Sequence, residues 1–153
     1  MVDTGDIPCA LAVDSSASRI YAVNYATDNV TVIDGANNAV VATVKVGERP
    51  EAVAVDSATH RVYVANNHSN TVTVIDGTNN EVAATVKTGG GPYAIAVDSA
   101  TNQVFVTTLA GDRLTVIDGR TLTGTAAAMP RTTSTMRLAA MRRSPMATTW
   151  IIW

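Results

Sequence analysis

Apolar residues along this chain gather in short runs separated by polar turns, and the runs carry strand signatures. Between Glu48 and Gly89 the order is easy to follow. Ala52-Val53-Ala54-Val55 is apolar throughout, as in a strand covered on both faces. Arg61-Val62-Tyr63-Val64-Ala65-Asn66 is a second strand, rich in β-branched and aromatic residues. Thr71-Val72-Thr73-Val74-Ile75 alternates polar and apolar side chains, the pattern of a half-buried strand. Glu81-Val82-Ala83-Ala84-Thr85-Val86-Lys87 is the fourth, and its Thr85 and Lys87 predict an outer, partly solvated edge where lysine opposes edge pairing. Polar clusters lie between the strands: Asp56-Ser57-Ala58-Thr59-His60, Asn67-His68-Ser69-Asn70 and Asp76-Gly77-Thr78-Asn79-Asn80. Their Asp, Asn, Ser and Gly favour tight turns. No helical apolar spacing appears. Four strands joined this way predict one antiparallel meander.

The whole unit recurs at a step of 42 residues. Ala12-Val13-Asp14 returns as Ala54-Val55-Asp56 and Ala96-Val97-Asp98, and Ile33-Asp34-Gly35 as Ile75-Asp76-Gly77 and Ile117-Asp118-Gly119. Tyr21, Tyr63 and Phe105 keep the step, as do Pro8, Pro50 and Pro92. A fixed period of this length with four strands in each unit is that of a β-propeller blade. The expected fold is all-β: three four-stranded antiparallel blades in an open arc or half-propeller. Small residues at Ala10, Ala12, Ala52, Ala54, Ala94 and Ala96 put the first strand of each blade at the crowded inner ring.

Alignment of the repeats sets the expected boundaries. Val2-Asp3-Thr4-Gly5 matches Val44-Lys45-Val46-Gly47, so residues 1–5 read as the remnant of a preceding blade's last strand. Blades follow at 6–47, 48–89 and 90–122, the last with a degraded fourth strand. Residues 123–153 read as a non-repeat basic tail. From Gly119 onward there is no Asp or Glu, while both Trp and most Met fall there. Two accounts of that stretch stand: a shifted reading frame, or a genuine tail that is disordered or docks on an open blade edge.

Tyr21-Ala22-Val23-Asn24, Tyr63-Val64-Ala65-Asn66 and the looser Phe105-Val106-Thr107-Thr108, with the Val-Ile-Asp strands and the Val-Gly ending before Pro, carry a family likeness. Over roughly residues 2 to 122 the chain resembles the YVTN-repeat β-propellers. That resemblance implies a binding or structural protein of the cell surface, periplasm or extracellular space, surface-layer proteins included, and it supplies no catalytic motif.

Composition narrows the function classes. A net charge of −2 gives no general attraction to nucleic acid or anionic membranes. No run is long and apolar enough for a membrane-spanning helix. The N-terminus lacks a signal-peptide pattern, which leaves localisation open against the family's expectation. Cys9 is the single cysteine, so no internal disulfide forms, and it reads as a small strand residue. No catalytic residue, metal site or cofactor is expected.

Asp14, Asp56 and Asp98 form a ring by symmetry, but each precedes Ser and a turn and reads as a structural Asx-type turn. Asp34-Gly35, Asp76-Gly77 and Asp118-Gly119 read the same way. His60 and His68 read as solvated loop histidines. Non-repeated loop residues are the candidate binding face, because repetition is scaffold and variation is where partner choice lies: Tyr25, Arg49, His68, Tyr93, Asp112 and Arg113.

Three blades do not close a ring, since propellers use about four to eight. Either two copies pair into a six-bladed homodimer or the chain is a segment of a longer propeller, and the repeat register at its ends favours the second. The leading function is a non-catalytic scaffold that binds an unidentified protein or glycan. The alternatives are a segment of a propeller enzyme of lactonase, lyase or quinoprotein dehydrogenase type, and a nonfunctional truncated gene product. Inner strands made of Ala, Val, Leu and Ile argue against the enzyme.

Overall fold

In the computed structural model, residues 1–128 are described, and the stretch 129–153 with its frame-shift reading lies outside them. The described chain contains twelve strands. They are β1 Pro8–Asp14, β2 Arg19–Asn24, β3 Asn29–Asp34, β4 Ala39–Lys45, β5 Pro50–Asp56, β6 Arg61–Asn66, β7 Thr71–Asp76, β8 Glu81–Lys87, β9 Pro92–Asp98, β10 Gln103–Thr108, β11 Arg113–Asp118 and β12 Thr123–Ala128. They form three separate four-stranded sheets, β1-β2-β3-β4, β5-β6-β7-β8 and β9-β10-β11-β12. Every pair is antiparallel. Among the described residues no helix is long and apolar enough to cross a membrane.

The registers repeat as the sequence does. Tyr21 lies between Ala12 and Val32, and Tyr63 between Ala54 and Val74. A proline opens each inner strand, the position where a missing N–H disturbs the ladder least. Left-handed backbone also recurs at matching places: Ser18, His60 and Asn102 before each second strand, and Asn38, Asn80 and Leu122 before each fourth.

No sheet has a core of its own, because the cores lie between sheets. Tyr21, Val23, Val30, Val32 and Val44 of the first sheet pack with Val62, Val64 and Ile75 of the second. Tyr63, Val72, Val74 and Val86 of the second pack with Val104, Val106 and Ile117 of the third. Alternation along a strand thus sends neighbouring side chains into different junctions. In β6, flanked on both faces, every residue from Val62 to Asn66 is buried, whereas β10 alternates buried and half-buried from Val104 to Thr108.

One packing detail explains two motifs at once. The Tyr21 hydroxyl reaches the second sheet, where a Cβ on Gly77 would stand 2.7 Å from it and 2.6 Å from the His60 carbonyl. Tyr63 meets Gly119 in the same way, at 3.0 Å. The tyrosine of one repeat therefore requires the glycine of the next.

One expected boundary changes. Thr123–Ala128 is not part of a tail: it pairs with β11 and completes the third sheet. Ladder bonds are made by the backbone, so the strand survives the loss of its apolar pattern. Gly124 even fits closely, since a Cβ there would meet Val86 at 2.9 Å. Conversely, residues 1–7 form no strand. Val2 and Thr4 line a groove with Leu11, Ala22 and Ile33.

Candidate functional site

The rim that carries the β2–β3 and β6–β7 loops and the connectors between sheets holds an open cleft at the first junction, about 420 Å³ in volume. It is lined by Tyr25, Ala26, Asp28, Glu48, Arg49 and His68. Local backbone bonds build it. The connector Glu48–Arg49 is tied to the β6–β7 loop by Asn67 N–H to Arg49 O at 3.0 Å and His68 N–H to Glu48 O at 3.2 Å. It is tied to the first sheet by Arg49 N–H, which donates to Asp28 Oδ1 at 2.8 Å. The Glu48 N–H donates to Ser69 Oγ at 3.1 Å.

The side chains then converge. The Arg49 guanidinium lies 5.9 Å from the Tyr25 ring centre, within cation–π range. His68 Nε2 stands 3.6 Å from Glu48 Oε2, with both groups largely in water. Arg49 adopts φ 48°, a left-handed conformation unfavourable for a side chain with a Cβ. The equivalent residues are Ile7 ahead of the first sheet, with φ 54°, and Gly91 at the second junction, with φ 65°, so the conformation belongs to the repeat.

Three of the six candidate residues, Tyr25, Arg49 and His68, thus meet in one cleft. The other three are elsewhere. Tyr93 stands half-exposed at the start of β9, Asp112 in the β10–β11 loop and Arg113 at the start of β11. None of these lines the cleft. Sequence reasoning missed Asp28 and Glu48. Their signal was present, because both give way at the second junction, to Asn70 and Gly90.

The aspartates ahead of turns accept bonds from the residue two ahead. Asp14, Asp56 and Asp98 take them from Ser16, Ala58 and Ala100, and Asp34, Asp76 and Asp118 from Ala36, Thr78 and Arg120. Asp14 does more. Fully buried, it places Oδ2 2.7 Å from His60 Nδ1 of the second sheet, while Oδ1 receives the Ser16 hydroxyl at 2.6 Å. Burial alone would raise this carboxyl. The bonds from His60, Ser16 and Ala17 outweigh it and hold the group below its ordinary value. His60 is therefore not the solvated loop histidine expected. It ties two sheets together, and no spacing within one repeat points to that.

Cys9 faces carbonyls, with Sγ 3.3 Å from Pro50 O and 3.7 Å from Val23 O. Burial, then the Glu51 charge, push its thiol up, away from the reactive thiolate. Among the described residues no group of three or more His, Cys, Asp or Glu is placed to hold a metal ion.

No protein-family model matches the sequence, and no curated protein is similar to it. Solved structures do resemble it. Hydrazine synthase of Kuenenia stuttgartiensis superposes with a TM-score of 0.77 at 22% identity, over 84% of this chain and 38% of that one. Apo AztD of Citrobacter koseri gives 0.66 at 19%, over 78% and 34%. The dihydro-heme d1 dehydrogenase NirN, in complex with DHE, gives 0.67 at 15%, over 85% and 30%. All three are β-propeller proteins. The chain has a β-propeller fold. Its sheets are blades, and it spans well under half the length of these neighbours. At such identities the likeness establishes the fold alone.

Proposed function

We propose that this chain is a non-catalytic binding segment of a β-propeller and that the cleft at its first blade junction takes a glycan. The observation that carries the reading is Arg49. Its guanidinium stands over the Tyr25 ring in the cleft, and glycine stands at its place in the third blade, so this pairing is particular to the first junction. Around it stand Tyr25, whose ring offers an apolar face, and Asp28, Glu48 and His68. One guanidinium against two carboxylates gives donors and acceptors with no pull toward anions. That balance suits an uncharged polyhydroxyl ligand. The inner strands bring Ala, Val, Leu and Ile toward the axis rather than converging acids and bases, which supports binding over catalysis. The YVTN-like motifs agree with a surface-layer or secreted setting.

A protein partner is the second reading, favoured by the pairing of Tyr25 with Arg49, both frequent interface anchors. Titration of the full chain with a panel of neutral oligosaccharides, followed by calorimetry, tests the first. Binding is expected, and Tyr25→Ala and Arg49→Ala should each weaken it about tenfold or more. Absence of binding across the panel, or binding that survives both substitutions, refutes the glycan reading.

A further inference from the structure

The rim opposite the Tyr25–Arg49 cleft carries the turns within each blade, and there too the junctions differ. At the second junction Thr59, Arg61, Asp76, Thr78, Asn102 and Arg120 line an open cleft of about 340 Å³. They come from the β5–β6, β7–β8, β9–β10 and β11–β12 turns and the strand ends beside them. The cleft lies within a junction that the chain itself closes. One step of the repeat back, the same places hold Ala17, Arg19, Asp34, Ala36, His60 and Thr78. There Arg19 and Asp34 neutralise each other, with Nη1 3.3 Å from Oδ2, and His60 is tied to Asp14.

The second junction disposes its charges differently. Arg61 and Asp76 face each other in register, as Arg19 and Asp34 do. Yet Arg61 reaches across to the third blade, where it donates to the Gly119 carbonyl, and it also bonds the Tyr63 hydroxyl. Those two contacts hold the guanidinium and leave others of its five N–H donors for a ligand. Asp76 turns Oδ1 to Thr78, whose N–H donates at 2.9 Å and whose hydroxyl donates at 2.6 Å. These bonds hold its carboxyl below the ordinary value, so it is charged at neutral pH. Arg120 is exposed, and its side chain makes no bond among the described residues.

We propose that this second cleft binds a hydroxylated carboxylate of the sugar-acid class. Its carboxylate sits on the Arg61 and Arg120 guanidiniums, and its hydroxyls meet Asp76, Thr59, Thr78 and Asn102. A planar guanidinium matches a carboxylate through paired N–H···O bonds. Two arginines against one aspartate leave one net positive charge, which balances one carboxylate. A dianionic phosphate exceeds that charge and is repelled by Asp76, and a neutral sugar leaves it unmatched. The inference is independent of the neutral-ligand reading of the first cleft, and each can fail alone.

Amide chemical shifts of the full chain, followed by NMR during titration with glucuronate, glucose and inorganic phosphate at matched ionic strength, test the inference. Glucuronate should give saturable shifts around Asn102, Gly119 and Arg120, and the other two should not. Arg120→Ala changes an exposed side chain, so the spectrum should stay folded while glucuronate binding weakens about tenfold. Asp76→Asn keeps a side-chain acceptor for Thr78 and adds one net positive charge to the cleft, so phosphate should now bind there. Absence of saturable glucuronate shifts overturns the inference. So does glucose or phosphate that moves the same amides as strongly in the native chain, an Arg120→Ala variant that binds like the native chain, or an Asp76→Asn variant that gains no phosphate binding. Glucuronate shifts confined to Tyr25 and Arg49 assign the carboxylate to the other cleft and overturn it as well.

Discussion

The two blade junctions are alike in their cores and unlike at their rims. In depth, Tyr21 against Gly77 repeats as Tyr63 against Gly119, and valines fill both interiors. At the rim the first junction carries Tyr25, Asp28, Glu48, Arg49 and His68, where the second has Asn67, Asn70, Gly90, Gly91 and Ala110. The backbone frame of the cleft persists without those side chains: Leu109 and Ala110 N–H still donate to the Gly91 and Gly90 carbonyls, and Gly91 N–H to Asn70. The comparison separates what folding demands from what it tolerates. Chemistry that folding does not require, kept at one junction and absent from the other, marks the candidate site.

The largest effect should come from breaking the shared part. Gly77→Ala would set a Cβ 2.6 Å from the His60 carbonyl and is expected to cost about 2–3 kcal/mol through overpacking. Gly119→Ala, with 2.9 Å to Asn102 O, should cost less, about 1–2 kcal/mol. Gly35→Ala, with 3.2 Å to Ser18 O and no tyrosine above it, should be nearly neutral. Urea midpoints of the three variants check the order, and equal midpoints would dismiss the tyrosine–glycine account.

Next comes the contact between blades on the opposite rim. Asp14→Ala leaves Ser16, Ala17 and His60 without their acceptor and should cost about 2 kcal/mol, against about 1 for Asp56→Ala, which has no histidine partner. The pH dependence has a definite sign. Asp14 binds its proton less tightly when folded, so its contribution is complete above the unfolded value of 3.8 and fades as pH falls through the lower folded one. Urea midpoints of native chain and variant should converge in that acid range.

The smallest effect sharpens the contrast most. Arg49→Gly should raise stability by about 0.5–1 kcal/mol, as left-handed backbone becomes unstrained, while oligosaccharide binding is lost. Gly91→Arg at the second junction should lower stability by about 1 kcal/mol. A stabilised Arg49→Gly chain that still binds would detach the Arg49 side chain from the function.

Strands, turns and their division into sheets were legible because a period of 42 residues repeats every local signal three times. What passes between repeats was not. Tyr21 and Gly77 each recur with the period, yet their contact joins different repeats, as does that of Asp14 with His60. β12 was illegible for the opposite reason: Thr123–Ala128 lost its apolar pattern, and backbone pairing leaves no trace in residue type. At the cleft, departure from the repeat exposed Tyr25, Arg49 and His68. Glu48 and Asp28 also depart from the repeat, but only the fold sets them beside Arg49.

Because every core is shared by two neighbours, protection of the chain should be graded by position rather than by sequence. The middle blade, closed on both sides, can open only when a whole junction parts, so β6 and β7 should release their amide hydrogens to exchange last. The flanking blades breathe through their uncovered faces, and the molecule would lose its order from the outside inward, as a short stack with nearest-neighbour coupling does.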